Sequence, residues 1–141
     1  MKVERLMATK EELERFFKKE FPQADFEIDS VSNKSAIIRK KINHSHLRPG
    51  GTVSGPVLME IADAALYVAI LAEIGVIALA VTTNLNINFL RKPSSDKDII
   101  AKCHLIKVGK TLAIGEVSVY SEGDLDPVAH AVGTYAIPPV K

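Results

Sequence analysis

The chain begins with a rhythm of three to four residues. From about Thr9 to Glu20 the sequence TKEELERFFKKE places Leu13, Phe16 and Phe17 on one face, which predicts a short amphipathic helix. Thr9 is positioned to cap it and Glu12 to close a capping box. Phe21-Pro22 ends it, because a proline disfavours helical geometry in the residue before it. The period then shortens to two: Phe26 to Val31 and Lys34 to Ile42 read as strands around a Ser32-Asn33 turn. Asn43 to Gly55 is a polar loop rich in glycine and histidine. Pro56 to Ile74 reads as one long helix, with proline in its first turn and Gly75 just past its end. That helix is apolar around its whole circumference, so a curved sheet or a second subunit must wrap it. Beyond it, Ala78 to Leu90 alternates Leu85, Ile87 and Phe89 with Asn84, Asn86 and Asn88. Ile99 to Val108, Thr111 to Ser121 and Pro127 to Ile137 complete a predicted antiparallel meander of four strands. The fold class is α+β, an antiparallel sheet around one central helix, with an extra N-terminal helix.

The length of 141 residues suits a single domain spanning 1–141. Lysine and arginine number 18 against 17 aspartates and glutamates, a net charge of +1, which gives no electrostatic reason to expect nucleic acid as a partner. The lone Cys103 excludes an internal disulfide and lies in an apolar-periodic strand, where it reads as a small core residue. Met1 to Arg5 leads into charged residues without the apolar region of a signal peptide, so a cytoplasmic location is expected. The apolar run from Ile61 to Ala80 is broken by Asp63, Glu73 and Gly75, and no membrane association is expected from it.

Asp63 is the first candidate for chemistry, because an aspartate in the middle of an apolar helix is rarely buried without a partner. It either activates a water or itself acts as a nucleophile, or else it pairs with a nearby arginine or caps a neighbouring turn. His44 and His46, two residues apart, lack the further ligands of a metal site, and no metal is expected. His46 is a candidate for lining a substrate pocket, against a plain loop-packing role. Glu60 shares the face of Asp63 one turn earlier, and Tyr67 follows one turn later. Arg91, Lys92, Lys107 and Lys110 lie near turns, where they either grip phosphates or form ordinary surface charge.

Gly51, Gly55 and Ile61-Ala62-Asp63, followed by Thr82 to Pro93 (TTNLNINFLRKP), resemble the PaaI-type acyl-CoA thioesterases of the hotdog superfamily. The resemblance spans about Ile42 to Ile137. It implies a hotdog fold, hydrolysis of an acyl-CoA thioester, and a homodimer or homotetramer with the pocket between subunits. It implies Asp63 as general base or nucleophile, the Gly55 backbone N–H as donor to the thioester oxygen, and Thr82 near the attacking water. It implies no organic cofactor, CoA being part of the substrate, with Arg91, Lys92 and Lys110 as candidate anchors for its phosphates and Gly51 as the loop glycine. The family's histidine before the helix glycine is Ser54 here, and its loop asparagine position falls at Arg48. Ser54 donates a hydrogen bond without carrying charge, while Arg48 either supplies that charge or pairs with Asp63. Two other readings accompany this one: a non-catalytic acyl-CoA or acyl-carrier binding module, and an enoyl-thioester hydratase, of which Asn43-x-x-His46 is a poor echo.

Overall fold

The computed structural model describes residues 6–77 and 79–139, so the reading of Met1 to Arg5 and the start of a strand at Ala78 lie outside the described residues. Helix α1 runs Lys10–Glu20 with both bonds of the Thr9–Glu12 capping box formed, and Leu13 and Phe17 buried. Strands β1 (Glu27–Ser32) and β2 (Ser35–Lys40) form a hairpin. A single turn of 3₁₀ helix at His44–His46 and a two-residue hairpin of β3 (Leu47–Arg48) and β4 (Thr52–Val53) organise the stretch expected as a loop. Helix α2 spans Gly55–Ile74, one residue longer than expected, and Gly75 closes it with φ +97°, a conformation glycine adopts without steric cost. Strands β5 (Val81–Phe89), β6 (Ile99–Val108), β7 (Leu112–Ser121) and β8 (Ala129–Ala136) follow.

All six long strands join one antiparallel sheet in the order β1-β2-β6-β7-β8-β5, curved around α2. This corrects the expected four-strand meander. Strands β6, β7 and β8 do follow one another, but β5 crosses to the far edge and pairs with β8, while β2 takes the place beside β6. Each central strand turns alternate residues towards the helix, and ten residues of α2 are buried. Cys103 is one of the inward residues of β6.

The wall beneath the middle of α2 is built of small residues. Gly115 on β7 and Gly133 on β8 sit directly opposite one another in the sheet. A Cβ at Gly133 would stand 2.4 Å from Leu66 Cδ1, and one at Gly115 would stand 2.8 Å from Leu66 Cδ2. The two glycines form a notch that receives Leu66 and fixes the helix against the sheet. No described helix is long and apolar enough to cross a membrane.

Candidate active site

Asp63 lies half-buried on α2, one turn before Leu66. Its Oδ1 accepts a 2.6 Å hydrogen bond from Thr82 Oγ1 at the start of β5, and a 2.8 Å bond from the Tyr135 hydroxyl at the end of β8. The same hydroxyl also reaches the Asp63 carbonyl oxygen at 3.2 Å. Among the described residues no hydrogen bond reaches Asp63 Oδ2. Two donors on one oxygen fix the carboxylate and leave the other oxygen for a ligand. Burial, and then the negative charge of Asp63, push the Tyr135 phenol well above its ordinary value of 10.0, so it is a permanent donor at neutral pH. Tyr67 stacks on Tyr135 with ring centroids 5.8 Å apart, and burial raises its phenol as well.

Two clefts meet at Asp63 and Tyr67. The first, of about 370 Å³, runs between α2 and the segment after α1, where Phe17, Phe26, Ile61 and Ala64 supply apolar walls and Lys40 and Glu60 polar ones. The second, of about 350 Å³, opens over Thr82 and Tyr135. Both sizes suit a small organic group.

The start of α2 is a separate place. Ser54 occupies its N-cap, half-buried, without its side chain closing on the first turn. Pro56 has no N–H, so Gly55 and Val57 hold the donors of that turn. Gly55 packs on Phe89, whose ring lies 3.3 Å from where a Cβ would be. Gly55 and Asp63 are eight residues apart on one helix, about 12 Å along its axis, too far to serve one carbonyl group.

The loop residues have local roles. His46 Nδ1 accepts a 2.9 Å bond from the Asn43 N–H, and Asn43 Oδ1 accepts from the Ser45 N–H, so this imidazole caps its own 3₁₀ turn. Gly51 takes φ +81° at the tip of the β3–β4 hairpin, where its N–H donates to the Arg48 carbonyl. Arg48 is exposed and is not the partner of Asp63, whose Oδ1 is held by Thr82 and Tyr135 instead. The basic candidates fall into two groups. Arg91 and Lys92 follow β5 at the Gly55 end, with Arg91 donating to the Pro127 carbonyl at 2.9 Å. Lys110 lies at the β6–β7 turn, next to Leu112, which is level with Val81 and hence with the Asp63 end. Cys103 is 3% exposed and burial pushes its thiol up to about 12, which makes it unsuitable as a nucleophile. No three His, Cys, Asp or Glu side chains among the described residues gather into a cluster able to hold a metal.

Two contributors escaped sequence reasoning. Tyr135 lies 72 residues from Asp63 and carries no local motif, though its place on the inward face of β8 follows from strand parity. Lys40 takes the last inward position of β2, where the alternation calls for an apolar residue.

The family model of the Thioesterase superfamily matches residues 50–128, from the β3–β4 hairpin through α2 to the start of β8. The chain belongs to this superfamily. Membership makes it a thioester hydrolase by class, and the matched region contains Gly55, Asp63 and Thr82. A provisionally assigned thioesterase from Silicibacter sp. TM1040 has a crystal structure that superposes with TM-score 0.89 at 42% identity, covering 96% of this chain and 95% of that one. A provisionally assigned esterase of Thermoplasma acidophilum is 26% identical over 113 residues, 80% of this chain and 83% of the relative. The phenylacetic acid degradation protein PaaI of Thermus thermophilus shares the fold, with TM-score 0.72 at 21% identity over 88% of this chain and 99% of its own. The hotdog architecture expected from the resemblance is therefore the one this superfamily chain adopts.

Proposed function

We propose that this chain hydrolyses acyl-CoA thioesters at a site completed by a second copy of itself, with Asp63 as general base or nucleophile. The observation that carries the reading is the Asp63 carboxylate, fixed through Oδ1 by Thr82 and Tyr135 where two clefts meet. Oδ2 takes a proton from water as it attacks the thioester carbonyl, or itself attacks to form an acyl-enzyme anhydride that water then opens. Either way the C–S bond breaks, CoA leaves as thiolate and takes up a proton, and the acid is released. The oxygen of the tetrahedral intermediate needs donors, and the Gly55 N–H at the positive end of a 20-residue helix suits that role, with the Ser54 hydroxyl beside it. A Streptococcus pneumoniae protein of the same fold, 19% identical, has a structure with coenzyme A, which supports CoA as the carrier.

Two observations support a second copy: the distance from Gly55 to Asp63, if both serve one site, and the open edge of the sheet. Strand β5 is a nine-residue edge strand with Val81 and Phe89 each 52% exposed. Antiparallel pairing of two β5 edges about a two-fold axis brings the Gly55–Phe89 end of one copy beside the Asp63–Thr82 end of the other. The same pairing gathers Arg91 and Lys92 of one copy towards Lys110 of its partner, a basic rim for CoA phosphates. The homodimer is the unit of function, and a homotetramer would hold two such units. The reading places the protein in the cytoplasm with its substrate and requires no cofactor.

The test is chromatographic measurement of CoA released from a panel of acyl-CoAs by wild type and Asp63→Asn. Hydrolysis by wild type and a loss of at least about 100-fold in the folded variant is the expected result. Equal rates would remove Asp63 from the mechanism. Acyl-CoA binding without release by wild type would favour a binding module instead, the reading that Ser54 in place of histidine suggests.

A further inference from the structure

Lys40 is the only lysine or arginine among the buried residues of the described chain, with 6% of its surface exposed. It ends the inward row Ala36, Ile38, Lys40 of β2, so its stem packs in the core and its ammonium emerges in the wall of the 370 Å³ cleft. Nζ donates to the Asp25 carbonyl at 2.8 Å, and Glu60 Oε1 stands at 3.8 Å, beyond hydrogen-bond reach. Glu60 is exposed, so its carboxylate is well hydrated and free to turn away. A buried ammonium with three donors, one neutral acceptor and one loosely held counter-charge is under-neutralised. Glu60 lies one turn before Asp63, so the ammonium and the reactive carboxylate line the same cleft, with Phe17, Phe26 and Tyr67 between and around them.

Resting on the hydrolase reading, we propose that Lys40 is a specificity-determining residue that binds a carboxylate at the far end of the acyl group. The preferred substrates are then monothioesters of dicarboxylic acids whose carbon chain crosses the aromatic part of the cleft. A terminal carboxylate displaces Glu60 and accepts from Nζ in a charge-assisted bond, which is stronger than one between neutral groups. An unsubstituted acyl group of the same length leaves the ammonium without that partner and gains only apolar contact.

The experiment compares kcat/KM for glutaryl-, adipoyl- and suberoyl-CoA with that for pentanoyl-, hexanoyl- and octanoyl-CoA. Wild type is expected to favour at least one carboxylated member over its length-matched partner by about tenfold or more. Lys40→Met should abolish or invert that ratio, chiefly through KM for the carboxylated substrate, and Lys40→Arg should keep most of it. Glu60→Gln, which removes the competing carboxylate, should increase it. Lys40 also ties down the Asp25 segment, and a purely structural role would lower both substrate series together and leave the ratio unchanged. That result, or a wild type with no preference for carboxylated chains, would overturn the proposal while leaving the hydrolase reading intact. Hydrolysis of none of the six thioesters would likewise overturn the proposal, and the wider acyl-CoA panel with Asp63→Asn then decides the hydrolase reading separately.

Discussion

If each active site takes Asp63 from one copy and Gly55 from the other, two inactive variants should restore activity to one another. The first is Asp63→Asn. The second is Gly55→Pro, which removes the backbone N–H at the start of α2 and requires the Phe89 ring, 3.3 Å from the added Cβ, to give by a few tenths of an ångström. Proline is well tolerated in the first helical turn, and Ser54, with φ −72° and ψ 153°, already has the extended geometry that a following proline requires. The expected yield follows from symmetry. Random reassociation makes half the dimers mixed, and each mixed dimer has one site with both wild-type groups and one with neither, so about a quarter of wild-type kcat per site returns. KM at the restored sites should match wild type. The assay is CoA release after the two variants are co-refolded at equal concentration, with each refolded alone as control. A site contained in one chain predicts no recovery at any ratio. It would need Gly55 and Asp63 to meet over about 12 Å of rigid helix, and recovery at the background level would refute the distance argument.

Other expectations follow from the same contacts. Tyr135→Phe removes one of two donors to Asp63 Oδ1 and should lower kcat about 3- to 30-fold with little change in KM; a proportional rise in KM would assign Tyr135 to binding instead. Gly133→Ala should destabilise by about 1–3 kcal/mol in urea titrations, because its Cβ would overlap the buried Leu66. In a Leu66→Ala background the same methyl fills space, so an undiminished cost there would show that the notch is not the cause. Stability should also fall in alkali. The Cys103 thiol, ordinarily near 9.0 and about 12 when folded, stays protonated in the native state while the unfolded chain ionises above pH 9. Its contribution is complete below pH 9 and is lost towards pH 12 at about 1.4 kcal/mol per pH unit. Cys103→Ala should flatten that slope, as followed by unfolding midpoints at pH 8, 9.5 and 10.5.

Local signals made most of the elements legible. The capping box placed the first turn of α1, and proline and glycine bracketed α2 to within one residue. Asp63 could be singled out because a charge in an apolar helix demands an explanation. Strand order was not legible, since a period of two gives the faces of β5 and says nothing about its neighbours. The crossover to β8 depends on the link through Pro93, whose path no pattern encodes. The two partners of Asp63 were unequal for the same reason. Thr82 came through resemblance, whereas Tyr135 needs the sheet to be closed before it lies under the helix. Lys40 had a usable signal, a cation at an inward strand position, but it resembled an ordinary polar strand end. Gly115 and Gly133 also had one, because glycine inside a strand marks a bulge or a close approach. What approaches becomes clear only with Leu66 in place.

That approach connects packing to chemistry. Leu66 is three residues beyond Asp63 on α2, and Tyr135 is two residues beyond Gly133 on β8, so both pairs face one another across the same layer. Seating Leu66 between Gly115 and Gly133 sets both the rotation and the height of the helix over the sheet. With those fixed, the carboxylate of Asp63 falls against the Tyr135 hydroxyl and the Thr82 side chain on the neighbouring strand. A slip of one residue along the helix would turn Asp63 by about 100° and move it about 1.5 Å, enough to break both bonds. The glycines contribute no side chain to the site, yet they determine where its carboxylate points. Substitutions in the notch should therefore lower kcat at temperatures where the fold still stands, because hydrogen bonds of 2.6 and 2.8 Å fail before the core does.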